Sequence, residues 1–453
     1  MYRKSLGYLE NWLTLPTRKP LIIRGARQVG KTWLVRQFAK TMNLVLIEIN
    51  FEKRPDRADL FKSNDPQQIL LELSGALNQP IDPKKSILFL DEIQAAPSIL
   101  SKLRWFAEEC AELPVIATGS LLEFLLHDHT FSMPVGRITY MYLEPLSFEE
   151  FLLACDKKIL YDYLQKFDFT NAIPQSIHDD LLLLFREYIL IGGLPAAVSS
   201  WINSKSLQDV SVVHQDLLAT YYDDFSKYRG RIAIDRLYET MNAVPKWLGE
   251  KFVFSRVNKN AQASSVKQSF ELLCRARICH RVSACYANGV PLAAEIKEKY
   301  FKAIFLDVGL CSASLKLNFS NIASFDDVML INQGGIAEQV VGQLLRTIDP
   351  FYMEPALFYW LRDEMGYNAE IDYLIQHGNQ VIPIEVKAGS TGSLKSLHVF
   401  MELKNYQIAA RVNADLPSRT PVSVKSRTGK EVHYRLMSIP FYLMGQMTRL
   451  LGI

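Results

Sequence analysis

The first third of the sequence predicts an α/β fold built on a parallel sheet, and three observations predict it. The apolar run "PLIIR" leads directly into "GARQVGKT" (residues 25–32), and "WLVRQFA" follows with apolar residues at helical spacing. A second run, "SILFLDEIQ", carries a strand over Ile87 to Leu90 that ends in Asp91 and Glu92. A third, "LPVIATGS", ends in Thr118, Gly119 and Ser120. Short unbroken apolar runs between helical segments are the pattern of strands covered on both faces.

The whole chain is too long for one core. At 453 residues it divides into two to four domains. Its 49% apolar and 22% charged residues are globular in composition. No apolar stretch approaches the roughly 18 residues that a membrane helix needs. The opening "MYRKSLGYLENWL" has Leu6, Leu9 and Leu13 at helical spacing among charges, which fits a packed first helix and not a secretory leader. A cytoplasmic protein with no membrane partner is expected. Of the six cysteines, Cys274, Cys279 and Cys285 cluster without the paired spacing of a zinc site and read as buried apolar side chains. His127 and His129 in "HDH" read as a polar loop.

"GARQVGKT" fits G-x-x-x-x-G-K-[ST] at Gly25, Gly30, Lys31 and Thr32. Glycines let successive N–H groups turn toward one anion, and the following helix adds its positive end. Gly25, Ala26, Arg27, Gln28, Val29, Gly30, Lys31 and Thr32 would thus cradle a triphosphate, with Lys31 on the β and γ phosphates and Thr32 on Mg²⁺. Asp91 and Glu92 lie where ligands bind in open α/β sheets. Asp91 would hold Mg²⁺ and Glu92 would orient or deprotonate a water. ATP and Mg²⁺ are the cofactors expected.

Thr118 or Ser120 could sense the γ-phosphate or serve as a strand end and helix cap. Arg137, in "PVGRITY", could be an arginine finger toward a neighbouring copy in a homo-oligomer, or a surface ion pair. Arg27 and Gln94 flank the motifs and could reach phosphate or water.

"GARQVGKT", "LFLDEIQ", "TGS", "GR", "LEPLSFEEFL" and "YILIGGLPAAV" together resemble the bacterial and archaeal AAA-type P-loop ATPases that carry a nuclease-like C-terminal domain of uncharacterised function. The resemblance runs over nearly the whole chain. It implies an AAA+ P-loop NTPase domain with a parallel sheet (1–155) and a helical lid or connector (156–230). A winged helix-turn-helix (231–320) and a small α/β nuclease-like domain (321–453) would follow.

The residues of the middle and the end support parts of this. From about 155 to 230 the pattern is helical, broken at "GGLP" (Gly192 to Pro195). Next come helix, turn and helix, then two strands joined by "ANG". Between Lys251 and Val282, Lys251, Arg256, Lys259, Lys267, Arg275, Arg277 and Arg281 face one acid, Glu271, so DNA is an expected partner. Ser264, Ser265, Lys267 and Gln268 on the second helix would read a groove. Winged helices also dock proteins, and that alternative stays open. "KYFKAIFLDVGL" closes the module, with no partner for Lys302 or Asp307 legible from sequence.

In the last segment Glu338 falls on a helix, Glu370 and Asp372 stand two apart on one strand, and Glu385 and Lys387 two apart on the next. Spacing of two puts each pair on one face, and a hairpin through "HGNQ" brings the pairs together. Carboxylates beside a lysine can hold Mg²⁺ or Mn²⁺ for phosphodiester chemistry. "EIDYLI" and "IEVKAG" resemble the PD-(D/E)xK nuclease core. That resemblance implies Glu338 as first acid, Asp372 as main metal ligand, and Glu385 with Lys387 as the paired acid and base. A retired nuclease fold or a salt-bridged hairpin is the alternative. The basic residues between Leu403 and Arg435 read as a solvated face. The expected function is an Mg-dependent ATPase coupled to a module acting on DNA; the alternative is a nucleotide-gated protein-interaction switch with an inactive nuclease-like domain.

Overall fold

The computed structural model describes residues 2–119, 134–225, 233–316, 334–364, 367–388, 393–425 and 429–452. Ser120, His127 and His129 lie outside the described residues. Two compact units emerge, the first comprising Met1–Glu144, Arg275–Arg277 and Pro350–Glu354, the second the remainder.

In the first unit, helix α1 (Ser5–Thr14) buries Leu6, Leu9 and Trp12, following the leucine spacing. Strands β1 (Leu21–Arg24), β2 (Val45–Asn50), β3 (Ser86–Asp91), β4 (Val115–Thr118) and β5 (Thr139–Tyr142) form one sheet in the order β2-β3-β4-β1-β5. All its pairings are parallel, as the apolar runs predict. Strand β3 is buried along its full length.

Helices α2 (Lys31–Thr41), α3 (Pro66–Leu77) and α4 (Ile99–Glu109) connect the strands. Helix α3 starts where Asp65 accepts from the Gln67 N–H and Pro66 presets the first turn. Ile22, Ile49, Leu88 and Leu90 form a core with Leu100, Leu103 and Phe106. Asn50 is level with Asp91, and Ile23 with Thr118, so the carboxyl ends of the strands share one edge.

The second unit begins with α5 (Phe148–Ala154), α6 (Lys158–Lys166), α7 (Gln175–Ile191), α8 (Pro195–Ser204) and α9 (Leu207–Asp224). A capping box between Ser147 and Glu150 starts α5. The break at "GGLP" is a tight approach as well as a turn. A Cβ on Gly193 would stand 2.2 Å from the Leu146 carbonyl oxygen.

After these come α10 (Ile234–Ala243), α11 (Phe254–Val257), α12 (Ala263–Arg275), β6 (Cys279–Cys285), β7 (Ile296–Phe305), α13 (Val308–Ser314) and α14 (Gly335–Leu345). Strands β8 (Leu357–Glu364), β9 (Tyr367–His377) and β10 (Gln380–Val386), α15 (Lys395–Lys404), β11 (Ile408–Asn413), β12 (Ser418–Lys425) and β13 (Glu431–Pro440) follow.

Strands β6 and β7 form the antiparallel hairpin expected after the helices. However, β6 also pairs in parallel with β8, so the hairpin is the edge of an eight-stranded sheet ordered β12-β13-β11-β10-β9-β8-β6-β7. A bare two-stranded ribbon is at best marginal in water, and β6 buries five of its seven residues once β8 covers its open edge. Beneath β8 and β9, Phe400 of α15 meets Trp360 edge to face at 5.0 Å, beside Ile371 and Leu374. No helix among the described residues is long and apolar enough to cross a membrane.

Candidate functional site

The glycine-rich turn joins β1 to α2. Gln28 (φ 67°) and Gly30 (φ 95°) take left-handed backbone conformations, which the glycine adopts freely. A Cβ on Gly25 would lie 2.4 Å from the Leu143 carbonyl oxygen and 3.2 Å from Val29 Cγ2, so the first glycine is required by close approach. Gly30 is the N-cap of α2, whose first-turn N–H groups have no acceptor within the helix.

Lys31 is buried, and its ammonium donates to the carbonyls of Gly25 (3.0 Å) and Ala26 (2.8 Å). Burial pulls its pKa down to about 8 against the opposing pull of Glu92 and Asp91. Asp91, at the end of β3, gathers three donors. Thr118 Oγ1 donates to Oδ1 at 2.5 Å, Asn50 Nδ2 to Oδ2 at 3.0 Å, and Thr32 Oγ1 to Oδ2 at 3.2 Å. Burial raises the Asp91 pKa, and these donors counter it. Glu92 follows with φ 52°, leaving the strand direction in a conformation uncommon for a non-glycine residue, and Gln94 Nε2 donates to its Oε2 at 2.5 Å.

The structure therefore brings together Lys31, Thr32, Asp91 and Thr118 from three sequence segments. Arg137 is elsewhere engaged: its Nε donates to Glu108 Oε1 at 2.6 Å on α4, where Arg104 also pairs. The donor set fits a magnesium nucleotide: a buried ammonium, a helix start, a hydroxyl and a carboxylate meet at one sheet edge.

Two residues of this region have places that the sequence reading did not give them. Asn50 ends β2 level with Asp91, a signal available only once the strand register is known. Arg277 is buried in the first unit, with Nη1 3.3 Å from Glu144 Oε1, Nη2 2.7 Å from Glu354 Oε1, and its guanidinium 4.8 Å from the centre of the Tyr142 ring. Its place in the basic run concealed this, and a buried, paired guanidinium is no phosphate contact on a DNA-facing surface.

A second cluster lies in the second unit. Strands β9 and β10 pair through "HGNQ" with Tyr373 opposite Ile384, which sets Asp372 beside Glu385. The Val386 N–H donates to Asp372 Oδ2 at 2.7 Å, and Lys387 Nζ to Glu385 Oε1 at 2.6 Å. Ile371, Leu374, Ile382, Ile384 and Val386 are all buried.

Lys302 of β7 enters the same cluster. Its ammonium is 2.9 Å from Glu338 Oε2, pairs with Glu370, and stands 3.9 Å from Asp372 Oδ1. A lysine inside the apolar run "FKAIF" was the sequence signal for a buried charge with long-range partners. Asp307 also has partners: it accepts from the Gly193 N–H (2.6 Å), the Leu310 N–H (3.0 Å) and Gln343 Nε2 (3.1 Å).

Burial pushes Asp372 well above the usual carboxylate range, and Glu338 and Glu385 push the same way. Burial alone would lower Lys302, yet Glu338, Glu370 and Asp372 together hold its pKa well above the usual lysine value. Among the described residues no group of three His, Cys, Asp or Glu side chains is disposed to hold a metal ion.

Residues 17–152 match the family model of an AAA domain. Residues 182–321 and 333–430 match two domains of unknown function, DUF8612 and DUF4143. No curated protein matches the chain. Among solved structures, the Walker-type ATPase PABY2304 of Pyrococcus abyssi aligns at 15% identity over 69% of this chain and 95% of that one, with a TM-score of 0.44. The ORC1 protein of Aeropyrum pernix, in complex with DNA, aligns at 13% identity over 69% and 91%, with a TM-score of 0.22. Both likenesses are too loose to carry weight. The domain match and the parallel sheet with its glycine-rich turn make the first unit an AAA-type P-loop ATPase domain.

Proposed function

We propose that the first unit binds ATP with Mg²⁺ and hydrolyses it in the cytoplasm, and that turnover rearranges a helix-turn-helix and nuclease-like second unit that acts on DNA. The observation that carries the ATP reading is the Asp91 carboxylate held by Thr32, Asn50 and Thr118 at the sheet edge where Lys31 is buried. Thr32 and Asp91 would hold Mg²⁺, which when bound neutralises phosphate charge. Lys31 turns its ammonium from the Gly25 and Ala26 carbonyls to phosphate oxygens. Glu92, steadied by Gln94, orients a water and takes its proton.

The test is ATP binding and turnover in two variants. Lys31→Ala loses nucleotide binding, while Glu92→Gln binds ATP and turns it over slowly. Undiminished hydrolysis in both would refute the assignment.

The DNA reading is supported by α12, which presents Ser264, Lys267 and Gln268 to solvent on one helix. A specific observation favours the second reading, a nucleotide-gated protein-interaction switch whose nuclease-like domain is inactive: Glu338 and Glu370 are committed to Lys302. Incubation with DNA and Mg²⁺ or Mn²⁺, with and without ATP, separates the two. Cleavage lost in Asp372→Ala or Lys387→Ala favours the first; no DNA affinity at low salt, where phosphate contacts are strongest, favours the second.

A further inference from the structure

We infer that Lys302 is a tethered cation occupying the place of a divalent ion among Glu338, Glu370 and Asp372, so that this pocket takes up a divalent ion only when that ammonium is removed. The side chain is 3% exposed and its ammonium reaches all three carboxylates. An ammonium carries three donors and no acceptor; Glu338 and Glu370 accept from it, and Asp372 adds its charge from 3.9 Å, beyond hydrogen-bond range. A charge this deep persists only where it is paired.

The surroundings close the cage. Tyr359 places its ring centre 5.3 Å from Lys302 Nζ. On the other side of Glu338, Gly249 (φ 76°) brings its backbone so near that a Cβ there would lie 2.8 Å from Oε1. One oxygen of Glu338 therefore faces Lys302 and the other faces main chain.

Within this pocket positive charge remains in deficit. Glu338, Glu370, Asp372 and Glu385 are served by Lys302 and Lys387 alone among the pairs just described. Glu385 Oε2, on a residue 6% exposed, is a buried oxygen without a hydrogen-bond donor. With Lys302 in place no three of these side chains are disposed to hold a metal ion, but their carboxylate oxygens are the donor type of a hard divalent ion such as Mn²⁺. Lys302 sits on the oxygens that such an ion would use, so ammonium and ion exclude each other. The inference is independent of the nucleotide reading, because it concerns the second unit alone, and it goes with the reading in which the nuclease-like domain is inactive.

The experiment titrates the nucleotide-free full chain with Mn²⁺, comparing wild type, Lys302→Met and Lys302→Arg, with free Mn²⁺ followed by its electron paramagnetic resonance and folding by melting temperature. Lys302→Met should take up about one more Mn²⁺ per chain than wild type, roughly tenfold tighter than any wild-type uptake at these carboxylates, and melt higher as Mn²⁺ is added. Lys302→Arg should behave as wild type, and adding Asp372→Asn to Lys302→Met should abolish the gain. A methionine variant that folds only with Mn²⁺ present also supports the proposal. Equal uptake in wild type and Lys302→Met overturns it, as does wild-type uptake that disappears in Asp372→Asn, or a methionine variant that stays unfolded at every Mn²⁺ concentration.

Discussion

Thr32 Oγ1 lies 3.2 Å from Asp91 Oδ2, so the second residue of α2 and the last residue of β3 meet across the sheet edge. Thr32→Val keeps the shape and removes the hydroxyl. Nucleotide affinity in Mg²⁺ should fall by about one to two orders of magnitude, with little change in EDTA. Titration of a fluorescent ATP analogue under both conditions checks this, and an equal loss in both would assign Thr32 to phosphate contact instead of the ion.

Asn50 holds Asp91 Oδ2 at 3.0 Å. Removing this donor in Asn50→Ala leaves a buried carboxylate less well served. We expect a loss of about 1 kcal/mol in denaturant unfolding and an Mg²⁺ requirement shifted upward by about tenfold. Unaltered Mg²⁺ dependence of turnover would remove Asn50 from the site.

Lys31 gives the pH dependence its sign. Its folded pKa is lowered from 10.5 to about 8 by burial, so the folded protein gives up this proton before the unfolded chain does. The cost of burying the ammonium is present in full below pH 8 and is relieved as pH rises toward 10.5. Relative to Lys31→Ala, wild type should gain stability over that window, on the order of 3 kcal/mol. ATP affinity should run the other way and fall above pH 8, because the neutral amine no longer attracts phosphate. A stability difference that is flat with pH would contradict the assigned burial.

Gly25→Ala tests the close approach. The new methyl would meet the Leu143 carbonyl at 2.4 Å, and backbone cannot yield as a flexible side chain does. Unfolding free energy should drop by about 1–3 kcal/mol. Gly7→Ala, where nothing stands within 4 Å, is the control and should show no such loss.

Arg137 is paired with Glu108 on the surface of its own chain, which supports the ion-pair reading over the arginine finger. Arg137→Ala should leave turnover per chain unchanged, and wild-type turnover should be flat with protein concentration. A fall of about a thousandfold in the variant, with wild-type turnover rising as copies assemble, would restore the finger role.

The nucleotide pocket was legible because its chemistry is local: eight consecutive residues form the turn and the start of α2, and one apolar run delivers Asp91 to the sheet edge. The acid pair Glu370 and Asp372 on β9, and Glu385 with Lys387 at the end of β10, were legible for the same reason, since spacing of two fixes their face. Asn50 and Lys302 were not, because each gains its meaning from a neighbour in space. Lys302 meets Glu338, Glu370 and Asp372 only through the packing of β7, α14 and β9, and the run "KYFKAIF" signals a buried charge without saying which carboxylates meet it. The pairing of β6 with β8 was hidden likewise, since a parallel partner far along the chain leaves no mark at the turn between β6 and β7.

Arg277 and Phe351 belong to the first unit although the chain has by then traversed much of the second. Arg277 neutralises Glu144, and the Tyr142 N–H donates to the Phe351 carbonyl at 2.8 Å. A fragment cut after Glu144 would thus lose that ion pair and the acceptor of the Tyr142 N–H, beside the turn that begins at Gly25. The first unit is not a detachable cassette: grafting it onto another protein, or shedding it by proteolysis, requires bringing along two short pieces encoded hundreds of bases downstream.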